Sequence, residues 1–176
     1  MNVLKIILIV IVAIIGLLLI VALFVKNDYT IEREATINKP AAEVFDYIRY
    51  VKNQDYYNKW VMADPNMKKE FKGSDGAVGF VYAWDGNDKA GKGEQEITMI
   101  DMGRELDLEI RFLKPFEGTA HTKMITKSAS ENQTVVSWSM AGRSKYPMNI
   151  TNLFTGTMLG KDLEISLLNL KNILEK

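Results

Sequence analysis

The chain has 176 residues, 47% of them hydrophobic and 25% charged, which suits one globular domain with room for an appendage. Lysine plus arginine total 22 and aspartate plus glutamate total 22, so the chain lacks the basic surplus of a general nucleic-acid binder. With no cysteine and a single histidine, His121, it excludes disulfides, thiolate zinc, iron–sulfur clusters, a cysteine nucleophile and a multi-histidine metal site within one chain.

A short tail, residues 1–5, precedes a run from Ile6 to Val25 without a charged or strongly polar side chain, IILIVIVAIIGLLLIVALFV, flanked by Lys5 and Lys26. At ~1.5 Å per residue such a helix crosses the ~30 Å hydrocarbon core of a bilayer. Isoleucine and valine are moderate helix formers in water, but in lipid the backbone must satisfy its own hydrogen bonds, which enforces the helix. The run is longer than the roughly 7–15-residue apolar region of a cleaved secretory signal, and its end, Val21 to Val25, lacks a small-x-small cleavage pattern. It also lacks the polar face of a soluble domain's surface helix. The sequence therefore predicts a single-pass membrane anchor over 6–25, with the membrane as partner. Lys5 upstream and Lys26, Arg33 and Lys39 downstream leave the side of the membrane open.

A linker, 26–28, leads into a domain over 29–176. Tyr29 to Ile37 alternates, with Tyr29, Ile31, Ala35 and Ile37 on one face and Arg33 as the exception, which is the pattern of a half-buried strand. Pro40 opens a helix through Ile48, with Val44, Phe45 and Ile48 on one side. Val51 to Lys72 has no clean period and reads as helical turns and loop. Strands are predicted over 77–84, 94–101, 105–113, 119–127 and 133–141, separated by turn-forming residues. In the third of these, Leu106, Leu108, Ile110 and Phe112 alternate with Asp107, Glu109 and Arg111; in the last, Val136, Trp138 and Met140 face inward. Ile150 to Glu175 reads as a long helix with a break near Gly156–Gly160. Its leucines 159, 163, 167, 170 and 174 form one apolar stripe, placed to lie across the sheet. Strands at hairpin spacing without alternating helices make the class α+β.

Motifs with chemical meaning are few. Gly86 to Lys92 matches G-x-x-x-x-G-K, but Gly93 stands where a phosphate loop needs Ser or Thr, and a strand follows where it needs a helix. Asp85, Asn87 and Asp88 fail as a calcium loop because Lys89 and Ala90 occupy its fifth and sixth positions. His121 shares its strand face with Thr119 and Lys123, which reads as a surface histidine, and no G-x-S-x-G elbow accompanies it. Lys68, Lys69 and Lys72 form a small basic cluster that reads as solvated surface, with anionic head groups as the functional alternative. Asn132 and Asn149 stand in N-x-T acceptor patterns.

Several segments together resemble the SRPBCC superfamily, the helix-grip proteins that include START lipid-transfer domains, birch-pollen-allergen-like proteins and polyketide cyclases/dehydrases. The resemblance covers about 29–176. It rests on INKPAAEVFDYI, on Lys59-Trp60, on DGAVGFVYAWDG, on GKGEQEIT with LDLEIRFLKPFEGTA, and on the closing GKDLEISLLNLKNILEK. It implies a curved antiparallel sheet around the C-terminal helix, enclosing an apolar cavity, and a hydrophobic small molecule or lipid as ligand. It carries over no catalytic residue and no cofactor; the leading apolar segment is not part of the shared domain. Residues expected between sheet and helix, and hence as ligand contacts, are Trp60, Phe80, Tyr82, Trp84, Leu108, Ile110, Phe112, Met124, Trp138 and Met140. Two other classes stay open: a cyclase- or dehydratase-like enzyme using a cavity carboxylate or tyrosine, with Tyr82, Glu96 and Asp107 formally available, and a co-chaperone-like module with a closed interior.

Overall fold

A computed structural model describes residues 3–176; Met1 and Asn2 of the predicted tail lie outside the described residues. Helix α1 spans Val3–Phe24, so Lys5 belongs to its first turns. Its most apolar 18-residue stretch has a mean hydropathy of 3.7 and is only 6% buried, so it stands out from the folded body. By length and composition it is able to cross a membrane.

The body is one seven-stranded antiparallel sheet in the order β1-β7-β6-β5-β4-β3-β2. The strands are β1 (Asp28–Ile37), β2 (Lys68–Lys72), β3 (Val81–Asp85), β4 (Lys92–Asp101), β5 (Glu105–Lys114), β6 (Gly118–Ser130) and β7 (Gln133–Arg143). Between β1 and β2 come α2 (Ala41–Ile48) and two short turns of helix, α3 (Gln54–Tyr57) and α4 (Lys59–Met62). After β7, a turn of 3-10 helix at Met148–Thr151 leads into α5 (Asn152–Leu174), which lies along β1 on the inner face. The expected α+β helix-grip architecture is thus present, with α1 in front of it.

The alternation read in β5 and β7 holds: Leu106, Leu108, Ile110, Val136, Trp138 and Met140 are all buried. A register shift between Ile97 and Met99 in β4 adds an irregularity of the kind that bends a strand and increases its twist. On either side of it, Ile97 and Ile100, three residues apart, both turn inward and pack in the core. Strand β2 was not expected. Its sequence, KKEFK, carries four charges and one aromatic, the composition of a protected sheet edge rather than a half-buried strand. Phe71 holds it down by packing on Phe80 and Tyr82, at centroid distances of 6.2 and 5.2 Å. Strand β3 begins at Val81, not Ala77, because Ser74 to Gly79 is spent on turns.

The predicted break near Gly156–Gly160 is absent; α5 is continuous. Gly160 is there for close approach. A Cβ at that position would run into the guanidinium of Arg33, the odd residue on the apolar face of β1. Arg33 reaches across to α5, donating to Glu164 at 2.6 Å and to the Gly156 carbonyl at 3.3 Å. The apparent mismatch in β1 and the apparent helix breaker are one contact.

Gly160→Ala tests this contact through a sign change. Overpacking a closed contact costs about 1–3 kcal/mol. With Arg33→Ala in the background the clash is gone, and alanine becomes the better helix residue by up to ~1 kcal/mol. Denaturant unfolding of the single and double variants is expected to show loss of stability in the first case and gain in the second.

Candidate functional site

The inner face of the sheet is filled unevenly. Toward the end where β1 finishes and α5 terminates, the core is solid. Ile37, Phe45, Ile48, Tyr57, Met124, Trp138, Leu167 and Leu170 form one buried cluster. The Trp138 indole donates to the Thr122 hydroxyl at 2.7 Å, and its ring meets Tyr57 edge-on at 5.9 Å. Phe80, Tyr82, Ile97, Leu106 and Leu108 form a second solid cluster. Of the expected ligand contacts, Phe80, Tyr82, Leu108, Met124 and Trp138 therefore sit in packed core and do not face open space.

Toward the other end the packing opens into a cavity of about 320 Å³. Trp60, Trp84, Ile110, Phe112 and Met140 line it, joined by Tyr29, Val61, Met67 and Leu159. The loop residues Lys89–Gly91 and the pair Lys114-Pro115 form its rim. Each wall is held in place by specific contacts. Trp60 lies in the Lys59-Trp60 turn, where Asn58 caps the Trp60 amide at 3.0 Å. That turn docks on α5: the Trp60 indole donates to Asp162 at 3.1 Å, Lys59 pairs with the same carboxylate, and the Lys59 amide donates to the Ser166 hydroxyl at 3.0 Å. Trp84 lies over Gly93, where a Cβ would meet its ring at 2.7 Å, and its indole donates to the Ala90 carbonyl at 3.0 Å. The phenol of Tyr29 lies similarly over Gly142, whose side-chain space it occupies.

Two amides bring polarity to an otherwise apolar lining. Asn58 and Gln95 both contact the cavity, and both donate to the Gln54 side-chain oxygen, at 2.8 and 3.2 Å. The Gln54 amide nitrogen is buried without a partner. Gln95 had a readable signal: it sits between Gly93 and Ile97 at inward strand parity, where a polar side chain needs a reason. Leu159 is the first residue of the leucine stripe. Asn58, in the aperiodic stretch, had no such signal.

The titratable groups weighed for acid–base chemistry lie elsewhere. Glu96 and Glu94 pair with Arg111, each at 2.7 Å, on the outer face of the sheet. Asp107, also outward, is raised above the usual carboxylate range by burial, with Lys123 at 3.5 Å opposing the shift. The Tyr82 hydroxyl donates to Asp55 at 2.7 Å. His121 is exposed, opposite Glu109 in the neighbouring strand. Lys69 of the basic cluster pairs with Asp55 at 2.8 Å. The loop from Gly86 to Gly91 is a hairpin closed by Asn87, which accepts from the Lys89 and Ala90 amides. Among the described residues no carboxylate lines the cavity.

No protein-family model matches the sequence, and no curated protein matches it. Solved structures do match. Ara h 8.0201 superposes with a TM-score of 0.60 at 17% identity, over 84% of this chain and 97% of that one. Norcoclaurine synthase from Thalictrum flavum, solved with dopamine and hydroxybenzaldehyde, gives 0.59 at 14%, over 82% and 87%. An uncharacterised protein from Bacillus thuringiensis gives 0.62 at 13%, over 84% and 100%. The chain has the helix-grip fold. Its structural neighbours are birch-pollen-allergen-like members of the SRPBCC superfamily, and at these identities the likeness is one of fold.

Burial holds the phenols of Tyr29, Tyr57 and Tyr82 above their ordinary pKa, the last helped by its bond to Asp55. In the unfolded chain all three lose their protons near pH ~10. The folded state then retains more protons than the unfolded one, so its stability is intact below pH ~10 and falls as pH rises beyond it. Alkaline titration is expected to show the last part of the phenolate absorbance appearing only with the loss of circular dichroism.

Proposed function

We propose that this chain is a membrane-anchored binding module for a hydrophobic small molecule or lipid, held in the cavity between the sheet, α4 and the first half of α5. The observation that carries the reading is the cavity itself: about 320 Å³, walled by Trp60, Trp84, Ile110, Phe112 and Met140, with the Asn58 and Gln95 amides as its polar contacts. That volume is at the lower end for small-molecule sites, which suits one compact ligand or a single lipid chain rather than a whole two-chain lipid. The amides favour a ligand with one hydrogen-bonding group among apolar atoms, since each side-chain amide has more donor and acceptor capacity than its bond to Gln54 uses. Norcoclaurine synthase, of like fold, holds small aromatic molecules in the solved complex, which agrees in kind. The acid–base alternative loses support because the carboxylates considered for it lie outside the cavity.

The anchor reading draws on the end of α1 as well as its length. Asn149 donates to the carbonyls of Ala22 and Val25 at 2.7 and 2.8 Å, and Asn152 donates to those of Lys26 and Asn27, both at 2.9 Å. The Ala22 bond satisfies a carbonyl in the last turn of α1, and the others hold the linker directly behind it, so together they build the exit of α1 into the domain. Such integration suits a retained segment better than a leader destined for removal. It also buries Asn149, which closes that acceptor pattern to modification in the folded chain.

Met140→Trp tests the cavity. If the interior is hollow, the larger side chain fits without loss of melting temperature and displaces a fluorescent apolar probe such as phenylnaphthylamine, weakening its binding about tenfold or more, ~1.4 kcal/mol. Unchanged probe binding would remove the reading. For the anchor, membranes washed in alkaline carbonate are expected to keep the full chain and release one lacking residues 3–24.

A further inference from the structure

The strand register places the cavity mouth and the exit of α1 at the same end of the sheet. Asp28 pairs with Arg143, Ala120 with Gly142, Phe112 with Gly118, and Lys92 with both Lys114 and Asp85. The loops after β3 and β5 and the connection after β7 therefore surround the point where α1 joins β1. Only Val25, Lys26 and Asn27 separate α1 from β1, at most ~10 Å of extended chain. This end also carries large apolar side chains that nothing in the fold covers: Leu113, Phe116, Tyr146, Met148, Leu153 and Phe154, with Phe116 exposed to 70%. The Tyr146 hydroxyl donates to the Leu19 carbonyl at 3.4 Å. Leu19 lies about 9 Å along the helix from Val25, so the loop after β7 reaches back beside α1.

We propose that this end of the domain sinks into the interfacial layer of the bilayer that holds α1, so that the cavity mouth opens onto lipid and its occupant passes between membrane and cavity without crossing bulk water. The proposal rests on the anchor reading given above. Its physical basis is continuity: a membrane-spanning α1 brings Tyr146 to head-group depth, and a tyrosine with an apolar body and polar tip suits that layer. Exposed apolar side chains contiguous with such an anchor gain by leaving water. The exposed Lys26, Lys89, Lys114 and Lys145 ring the same end with side chains long enough to reach phosphates. Asp88 and Glu117 share these loops, so apolar contact rather than net charge holds the surface down, and uncharged lipid suffices.

Because the chain has no cysteine, single-site labelling is direct. Full-length protein carrying Phe116→Cys or Met148→Cys, or Glu131→Cys at the opposite end as control, is labelled with an environment-sensitive fluorophore. It is then reconstituted in phosphatidylcholine vesicles containing spin-labelled phosphatidylcholine. The expected result is loss of most emission at 116 and 148 through lipid quenching, with the label at 131 quenched only by aqueous iodide. Labels at 116 and 148 open to iodide and untouched by lipid, in protein that resists an alkaline carbonate wash, would overturn the proposal and leave the anchor standing. Protein released by that wash would overturn both. Labels shielded from lipid and iodide alike would mean that another protein surface covers this end, and the proposal would fall.

Discussion

A curved sheet of seven strands presents more inward apolar surface than one helix can cover. The rest of the structure follows from how that shortfall is met. Along the second half of α5 it is met by bulk, with Phe45, Tyr57, Trp138 and the later leucines of α5 packed into one buried cluster. Along the first half, α5 offers Leu159 and then Gly160, drawn close over Arg33, and the opposite wall is left to Trp60 and Trp84. Large rings held on rigid supports do not collapse into the remaining space. Trp84 is fixed by Gly93 and Ala90, and Trp60 by Asp162, so the hollow is kept open by the contacts that position its walls.

Those contacts also tie the site to α1. Asn149 in the turn at Met148–Thr151 holds a carbonyl in the last turn of α1, Asn152 at the start of α5 holds the linker that follows, and the same α5 carries Leu159, Asp162 and Ser166 against the cavity and the Trp60 turn. One helix thus joins the end of the apolar leader to one wall of the site. Polar groups are set apart by sheet face. The Arg111 cluster and the Lys123 pairs occupy the outside, where partly exposed ion pairs contribute modestly, and the charged groups that reach toward the inner face, Arg33 and Lys59, are paired with carboxylates of α5.

Much of the fold was legible because its periods are clean. Leu106 to Phe112 and Val136 to Met140 alternate without interruption, the α5 leucines recur at helical spacing, and the α1 run has no polar face. What escaped was carried by contacts distant in sequence. Arg33 looked like an error in a strand and Gly160 like a break in a helix, and only their meeting explains either. Strand β2 escaped because a charged edge strand has almost no hydrophobic signature. The site was half legible. Inward parity identified the inner face but not where along it the packing fails, so Phe80, Tyr82, Leu108, Met124 and Trp138 were grouped with residues that do line the hollow. The difference lies in their neighbours: the bulk of Tyr57 and the α5 leucines faces one end and not the other.

The pairing of β1 with β7 has a bearing on how the chain is made. Among the described residues the first strand pairs with β7 alone, Ile37 lying opposite Thr134, so its ladder waits until β7 has emerged. Throughout that interval β1 is an unpaired edge fastened directly behind the most apolar segment of the molecule. Pairings between ends so far apart form slowly. During synthesis β1 therefore has no strand to pair with until β7 has emerged, whereas β2 to β6 are each followed in the chain by the strand that lies beside them in the sheet.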